Sequence, residues 1–396
     1  MTNVISSQWN LNNWNLTGHW SLGFGIFKAM KIALAYDYLN QLGGGERVLE
    51  VLAGMFPEAP IYTIFYDKEK TRQKFISRNI HTSFLDRQFV RNNHRAFIPL
   101  FPTAVGSLNL GNQYDLIISA GAGYSHGISH SKNTKHIHYC FTPLRYAWEE
   151  HYIKSKFKNQ NTKLMNLFFK PVTGYLRNWD YRAAQGPDRI IAISDFIANR
   201  IKKYYQREAD VVIYPPLDTQ KFFFNPTIKT QDYFLAAGRL LHYKKFDLVI
   251  ESFNQLGWPL KIIGAGPDEP RLKKLIQSPK IEMLGFVESD EVVRHIYSGA
   301  RGFIFPQLED FGLVGAEAQS CGCPIIGYAA GGALEIIKEG ESGVFFQRQT
   351  REDLIMALKK FKQMSFNRQQ ISQLAQRFSI DNFKNNLQKI VKTIII

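Results

Sequence analysis

The chain has 396 residues, of which 45% are hydrophobic and 21% are charged, with 29 glycines and 16 prolines. This composition excludes collagen-like and wholly disordered chains, and at roughly 150 residues a domain the length predicts about two or three domains. Lysine and arginine number 49 against 34 acidic residues, which gives a formal net charge of +15. We therefore expect an anionic partner, such as a nucleic acid, an acidic membrane surface or a phosphorylated ligand.

Residues 1–29 carry no charge before Lys28 and contain no apolar run near the roughly 20 residues that a membrane span needs. We expect this leader to be poorly ordered and the fold to begin near Met30. The three cysteines, Cys140, Cys321 and Cys323, are too few for a disulfide framework and lack metal-knuckle spacing. They predict buried thiols in a cytoplasmic protein, at most peripheral to the inner face of the plasma membrane.

From Met30 onward, short apolar runs alternate with helical patterns, which is typical of βαβ units and parallel sheets. The helix ERVLEVLAGMF follows the first strand of a series that comprises KIALAYD, APIYTIFY, YDLIISAG, KHIHYCFT, DRIIAIS and VVIYPPLD. A second series of strands comprises YFLAAGRL, PLKIIGAGP, IEMLGFV, ARGFIFPQ, CPIIGYAAGG and SGVFFQ. Helical patterns such as KFDLVIESFNQL and EDLIMALKKFKQM lie between these strands, and the chain closes on DNFKNNLQKIVKTIII.

The two series predict two doubly wound α/β domains of similar size. We assign residues 30–215 to an N-terminal acceptor-binding domain, 216–231 to a linker and 232–375 to a C-terminal nucleotide-binding domain. Residues 376–396 are expected to form a helix that packs back towards the N-terminal domain. Ligands in such folds bind at the carboxyl ends of the strands, so the loops there are where chemistry is expected.

The most specific of these loops is EDFGLVGAE, which follows the strand GFIFPQ and carries two acids eight residues apart, Glu309 and Glu317. The helix that starts there offers unpaired N–H groups around Phe311, Gly312 and Leu313, and such groups bind phosphate or sugar oxygens. The two acids can accept hydrogen bonds from different hydroxyls of one ligand. Helix capping alone would explain one acid but not the whole arrangement.

A second loop, after YFLAA, contains Arg239 and Lys244, a pair of cations that can clamp a diphosphate. Glycine-rich loops at Gly44–Gly45 and at Gly264 allow close backbone approach to a ligand, although neither matches the dinucleotide fingerprint. No D-x-D triplet occurs, so we predict neither a metal-chelating donor site nor a cofactor.

Together these motifs resemble those of the GT-B glycosyltransferases of family 4, within them the mannosyltransferase-like branch of bacterial polysaccharide assembly. The resemblance runs from about Met30 to the C-terminus and includes Glu309…Glu317, Gly238-Arg239…Lys244, VIYPPLD, GGALEII and PLRYAWEEHY. It implies a GT-B fold, in which two Rossmann-like domains face a central cleft. It also implies that a nucleotide-sugar is the substrate rather than a cofactor.

The resemblance further implies roles for single residues. Arg239 and Lys244 would hold the donor pyrophosphate and stabilise the departing nucleoside diphosphate, and Glu317 would bind the ribose hydroxyls. Glu309 would contact the donor sugar beside the amides of residues 311–313. The remaining donor-side residues are the glycines Gly44, Gly45 and Gly264. Family members retain the anomeric configuration, and the route usually proposed for them needs no covalent protein nucleophile.

The acceptor side departs from the family pattern. Relatives commonly carry a histidine in an H-[ST]-P-x-R-Y stretch, where this chain has Phe141. Phenylalanine cannot transfer a proton, so His126, as a candidate catalytic residue, and His138 are the substitutes, with a structural role open for each. Arg145, expected in a loop that faces the cleft, is a candidate acceptor or phosphate contact.

Positive charge is concentrated in two N-terminal segments that also carry aromatic residues, which suits an anionic membrane surface presenting a lipid-linked acceptor. A solvated basic face without a partner is the alternative. The basic residues are Lys68, Lys70, Arg72, Lys74, Arg78, Arg87, Arg91 and Arg95 in the first segment, and Lys154, Lys156, Lys158, Lys163 and Lys170 in the second.

The leading hypothesis is a retaining, metal-independent transferase that moves mannose from GDP-mannose to a glycan or lipid-linked acceptor in cell-surface polysaccharide synthesis. The first alternative is the same fold with a UDP-sugar such as UDP-glucose. A sugar-nucleotide epimerase is disfavoured by the combination of paired cations and paired acids. A nucleic-acid-binding protein would need a reading helix, a finger or an RNP-like strand, and the sequence offers none, so no nucleic-acid partner is expected.

Overall fold

A computed structural model describes residues 30–149 and 162–395, without the side chains of residues 162–169 and 395. The predicted leader, residues 1–29, lies outside this range. So do residues 150–161, which include Lys154, Lys156 and Lys158 of the second basic segment.

The N-terminal half is a parallel sheet flanked by helices. Its strands are β1 (Ile32–Tyr36), β2 (Ile61–Thr63), β3 (Ile80–Thr82), β4 (Leu116–Gly121), β5 (Lys135–Cys140), β6 (Arg189–Ala192) and β7 (Val211–Val212). Its helices are α1 (Gly44–Met55), α2 (Gln88–Asn92), α3 (Phe101–Ser107), α4 (Arg145–Trp148), α5 (Thr162–Ala183) and α6 (Asp195–Tyr205). The strand order is β3-β2-β1-β4-β5-β6-β7. Every residue of β1 and β4 is buried, as expected where helices cover both faces of a parallel sheet.

The C-terminal half repeats this plan. Its strands are β8 (Phe234–Ala237), β9 (Leu260–Ile263), β10 (Ile281–Gly285), β11 (Gly302–Phe305), β12 (Ile325–Tyr328) and β13 (Gly343–Phe346). Its helices are α7 (Phe246–Leu256), α8 (Glu269–Leu275), α9 (Asp290–Gly299), α10 (Leu313–Ser320), α11 (Ala333–Ile336), α12 (Arg351–Lys362), α13 (Arg368–Leu374) and α14 (Ile380–Ile395). The strand order is β10-β9-β8-β11-β12-β13, again parallel throughout.

Each sheet reverses its winding beside its first strand, between β1 and β4 and between β8 and β11. Crevices that bind ligands lie at such switch points, outside the carboxyl ends of the strands. The predicted α/β class, with two doubly wound parallel sheets, is confirmed. The edge strand β3 escaped prediction because it has three residues and is only partly buried. The run VVIYPPLD yields only the two-residue β7, since its proline pair ends the strand.

One hydrophobic core joins the two halves. The Phe383 ring of α14 packs edge-on against the Tyr139 ring of β5, with 5.5 Å between ring centroids. The backbone N–H of Leu217 donates to the carbonyl of Phe378 at 2.7 Å, so the segment after β7 lies beside the residues that precede α14. These contacts bring the C-terminal end of the chain onto the N-terminal sheet and fix the two halves against each other.

All three cysteines are buried, as the sequence predicts. Burial raises the pKa of each thiol, which leaves them protonated and unreactive at neutral pH. None of the described helices combines the length and the apolar character that a membrane crossing requires.

Candidate active site

Lys244 and Glu309 form an ion pair in the loops that follow β8 and β11. The two side chains are only 12% and 16% exposed. Burial is the largest influence and disfavours the ammonium ion, but the Glu309 carboxylate and Tyr243 together more than offset it, so the pKa of Lys244 is raised. A cation and an anion from two separate loops therefore stand together at the switch point of the C-terminal sheet.

Close packing of the backbone brings the loop after β9 to the same place. Gly264 has φ +142°, and a Cβ atom on this residue would lie 1.9 Å from the Gly238 carbonyl oxygen. No side chain fits there, so glycine is required for the loop containing Arg239 and Lys244 to lie against the loop containing Gly264. Gly264 therefore shapes the site through its backbone.

Helix α10 begins at the centre of the site. Its N-cap, Gly312, has φ +97°, and a Cβ atom there would lie 2.2 Å from the Phe305 ring. The preceding Phe311 is 3% exposed and stacks on Tyr214 with ring centroids 5.6 Å apart. This anchor fixes the turn into α10, whose first N–H groups lack partners within the helix and can bind oxygen atoms of a ligand.

Glu317 lies one helical turn further into α10 and is 5% exposed. Its Oε1 atom is 2.6 Å from Nη1 of Arg47, a residue of α1 in the opposite half, and the Tyr297 hydroxyl donates to Oε2 at 3.4 Å. Burial raises the pKa of Glu317, and the Arg47 charge opposes that rise only in part. Glu317, the residue predicted to bind the ribose, is thus paired with a cation from across the cleft.

Two more contacts cross the cleft beside this pair. Arg239 donates through Nη2 to Oε1 of Gln41 at 2.7 Å. A Cβ atom added to Gly44, the first residue of α1, would lie 3.2 Å from Cδ1 of Leu313. The start of α1 thus lies against the start of α10. The structure therefore gathers the predicted donor-side residues of both halves around one end of β11.

Asp310, next to Glu309, joins the halves on the other side. Its carboxylate pairs with Arg145 and, at 3.1 Å, with Arg200, and its carbonyl accepts a hydrogen bond from the Ser194 hydroxyl at 2.6 Å. Arg145 begins the short helix α4, and its side chain is 26% exposed. The carboxylate of Asp310 raises the pKa of the Arg145 guanidinium. In this structure Arg145 therefore bridges to the donor loop.

His126 and His138 are both buried inside the N-terminal half. The His126 side chain is fully buried, with Nε2 3.2 Å from Oδ1 of Asp180. His138 is 1% exposed and shares a hydrogen bond of 2.9 Å with the Ser119 hydroxyl, and burial lowers its pKa far below the usual value. Both rings therefore lie in the core of the N-terminal half, and these contacts fit the structural role that the sequence leaves open for each.

Phe141, where relatives carry a histidine, packs behind the glycine loop. A Cβ atom on Gly45 would lie 2.5 Å from the Tyr36 hydroxyl and 2.9 Å from the Phe141 ring. The Tyr36 hydroxyl donates to Glu46 at 3.1 Å, and Glu46 accepts from the Gly43 N–H at 2.8 Å. The phenyl ring and the tyrosine thus fill the space beside Gly45, and only glycine fits at this point in the loop.

Sequence reasoning missed the residues that act across the cleft. Gln41 and Arg47 lie on either side of the glycine loop in sequence. Nothing in this stretch, including Glu46 beside Arg47, predicts that they contact the opposite half. Glu335 accepts from the N–H groups of Asp195 and Phe196 at 3.0 and 3.1 Å, which caps α6 from the opposite half. Glu335 belongs to the GGALEII motif, but its pairing with α6 is a long-range contact that spacing does not reveal.

No metal cluster accompanies these residues. Within residues 30–149 and 162–395, no three His, Cys, Asp or Glu side chains are placed to hold a metal ion. The charges that could face an anionic ligand here belong to Arg239, Lys244 and Arg47.

Two family models match the chain in succession. The Glycosyltransferase Family 4 model matches residues 42–221, and the model for glycosyl transferases group 1 matches residues 218–378. The boundary between the matches falls just after β7, where the chain passes from one sheet to the other.

Individual relatives are more distant. The chain is 25% identical over 175 residues to an uncharacterized glycosyltransferase of Methanocaldococcus jannaschii, covering 43% of this chain and 49% of that protein. It is 29% identical over 134 residues to a glycogen synthase of Xanthomonas campestris, covering 32% and 28% of the two chains. The chain thus spans about half the length of these relatives, or less.

Among solved structures, HepE of Anabaena in complex with UDP superposes with a TM-score of 0.67 at 16% identity, covering 92% of this chain and 100% of that one. The complex of HepE with UDP-glucose gives a TM-score of 0.66. At this identity the likeness establishes the fold.

Proposed function

Since the chain belongs to the GT-B glycosyltransferases of family 4, we propose that it transfers a sugar from a nucleotide-sugar donor to a glycan or lipid-linked acceptor in cell-surface polysaccharide synthesis. The observation that carries this proposal is the convergence of Lys244, Glu309 and the start of α10 at the end of β11. One cation, one carboxylate and a set of backbone N–H groups match a diphosphate joined to a sugar.

The donor diphosphate binds Arg239 and Lys244, and the N–H groups at the start of α10 donate hydrogen bonds to its remaining oxygens. Glu317 accepts hydrogen bonds from the ribose hydroxyls, and Glu309 accepts them from the donor sugar. Lys244 and Glu309 pair with each other, so both side chains are already oriented when the donor arrives. Such preorganisation lowers the cost of fixing charges during the reaction.

Bond cleavage releases a nucleoside diphosphate whose negative charge grows in the transition state. The ammonium of Lys244 and the guanidinium of Arg239 stabilise that charge. In other transferases a bound metal ion stabilises it. We therefore propose that transfer is metal-independent. The acceptor attacks from the face that the diphosphate leaves, so the anomeric configuration is retained and no protein nucleophile takes part.

The donor sugar has two candidates. Resemblance to the mannosyltransferase-like branch favours GDP-mannose. A UDP-sugar such as UDP-glucose is favoured by the fold neighbour HepE, which was solved with UDP and with UDP-glucose, and by the similarity to a glycogen synthase. Both candidates present the same ribose and diphosphate to Glu317 and the cations, so they differ only in base and sugar.

A donor panel tests the proposal. Thermal shift and donor hydrolysis are measured with GDP-mannose, UDP-glucose and other GDP- and UDP-sugars, in EDTA and again with added Mg²⁺. We expect one donor to stabilise the protein and to be consumed at the same rate in EDTA. Absence of stabilisation by every nucleotide-sugar would overturn the proposed function, and a requirement for Mg²⁺ would overturn metal independence.

A further inference from the structure

An exposed apolar ridge lies on the N-terminal half, formed by Phe84, Phe89 and Leu100 beside the half-buried Phe97. Phe89 is 68% exposed, Phe84 53% and Leu100 45%. Phe89 and Phe97 touch edge to face, with 5.9 Å between ring centroids. Single exposed apolar residues are common on soluble proteins, but several large ones within one short segment mark a contact surface.

The ridge is held rigidly. Val90 and Ile98, the neighbours of Phe89 and Phe97 in sequence, are 6% and 8% exposed and anchor α2 and the 3-10 turn His94–Leu100 to the core. The exposed Phe89 ring is therefore carried on a fixed backbone, beside the Phe97 ring that packs against the core.

Cations flank the ridge. Arg87 and Arg95 are exposed and, among the residues that the structure describes, form no ion pair. Other cations of the predicted basic segment are already engaged: Lys70 pairs with Asp67, Arg72 with Glu288, Lys74 with Glu50 and Arg91 with Asp86. Lys68 and Arg78 also lack an ion pair among the described residues, but Arg78 donates to the Pro57 carbonyl at 2.9 Å. Arg87 and Arg95 are the unpaired cations of this segment that lie next to the exposed rings in sequence.

The ridge adjoins the cleft. His94, which begins the 3-10 turn, lies with Nδ1 3.3 Å from Nδ2 of Asn40. The next residue along the chain, Gln41, accepts the hydrogen bond from Arg239. The ridge and the donor-binding cations are therefore separated by a short series of contacts along one edge of the N-terminal half.

We propose that this ridge docks on an anionic lipid bilayer, with the phenyl rings at the boundary of the acyl chains and Arg87 and Arg95 among the headgroups. Large apolar side chains beside unpaired cations are the combination that binds anionic interfaces. The docking rests on the proposed function to the extent that it brings the cleft to a lipid-linked acceptor. It assigns the expected membrane contact to one surface.

Vesicle co-sedimentation of the full chain tests this assignment. The probes are vesicles of phosphatidylglycerol with phosphatidylcholine, and vesicles of phosphatidylcholine alone. We expect binding to the anionic vesicles, a drop of at least about tenfold for the double variant Phe84→Ser/Phe89→Ser, and about fivefold for each of Arg87→Gln and Arg95→Gln. High salt should weaken the arginine contribution and spare that of the rings.

Matched controls are Met356→Ser and Lys359→Gln, which alter an exposed apolar and an exposed basic residue of α12 in the other half. Both should bind vesicles like the wild type. Thermal shift with nucleotide, and donor hydrolysis in solution, should be unchanged in every variant, which separates failure of docking from failure of the proposed function.

Three results would overturn the proposal: no binding, equal binding to both kinds of vesicle, or wild-type binding by the ridge variants. Self-association that Phe84→Ser/Phe89→Ser abolishes, without vesicle binding, would assign the ridge to a second copy of the chain and would also overturn it.

Discussion

The two walls of the cleft obtain their charged residues in different ways. On the C-terminal wall, Lys244 and Glu309 lie in the loops that follow two neighbouring strands, β8 and β11, and pair with each other at the switch point. On the N-terminal wall, Arg47 and Arg145 meet their acidic partners only across the cleft, on the C-terminal half. The ion pair of the C-terminal wall forms within one half, whereas the ion pairs of the N-terminal wall form between the two halves.

This difference has a thermodynamic consequence. The Lys244–Glu309 pair belongs to one half, so it persists whether the cleft is open or closed. The Arg47–Glu317 and Arg145–Asp310 pairs form only while the halves are together, and ribose binding competes with Arg47 for Glu317. We therefore expect changes on the C-terminal wall to act on the chemical step, and changes at the cross-cleft pairs to act on nucleotide affinity and stability.

The largest effect is expected from Glu309→Gln. This change removes the charge that orients Lys244 and replaces one of the two oxygens that accept hydrogen bonds from donor-sugar hydroxyls with an NH2 donor, so turnover should fall about 10²–10³-fold. Steady-state transfer or donor hydrolysis measures it, and Glu339→Gln, an exposed acid of the same half, is the control. A loss below about threefold would show that Glu309 has no part in the reaction.

A smaller effect on turnover is expected from Asp310→Asn, because it removes the anion that Arg145 and Arg200 share, while Arg200 keeps its pair with Glu149. The free energy of unfolding should fall by about 3 kcal/mol. Nucleotide affinity should fall about tenfold as the donor loop loses its cross-cleft support.

Asp86→Asn is the matched control, since Asp86 pairs with Arg91 inside one half and is 16% exposed against 15% for Asp310. Denaturant titration and calorimetric nucleotide binding measure both variants. If Asp86→Asn weakens nucleotide binding as much as Asp310→Asn does, the cross-cleft role is wrong.

The pH dependence of nucleotide binding should be governed by Glu317. Burial raises its pKa above the ordinary glutamate value, so acidification protonates it earlier than an exposed glutamate. Protonation removes the acceptor for ribose hydroxyls, and Kd should rise by up to about tenfold for each pH unit below the raised pKa. The Glu317→Gln variant should bind weakly with a flatter profile, and a wild-type Kd that stays constant on acidification would argue against ribose binding by Glu317.

The smallest effect on activity is expected from His126→Asn, because the ring is fully buried against Asp180. The free energy of unfolding should fall by about 1–3 kcal/mol, while kcat and KM change by less than about threefold. A loss of kcat without a loss of stability would return His126 to the reaction and would remove the contrast between the two walls.

The sequence predicted what depends on short spacing. The alternation of β and α segments predicted both sheets, and the Glu309…Glu317 and Arg239…Lys244 spacings predicted residues that the structure gathers at one switch point. It failed where a partner is distant. Arg47 lies 270 residues from Glu317 in sequence. His126 is buried against Asp180, which belongs to the later helix α5. Such contacts follow from how the halves meet, which local pattern does not encode.

The most direct test of the donor site compares Lys244→Ala with Lys245→Asn. Lys245 adopts φ +58°, a conformation that asparagine tolerates, so its replacement removes a neighbouring charge without backbone strain. Consumption of the preferred nucleotide-sugar is measured in EDTA for both variants and the wild type. We predict that Lys245→Asn consumes the donor at the wild-type rate and that Lys244→Ala loses about 10²–10³-fold. Wild-type consumption by Lys244→Ala would contradict the assignment of this site.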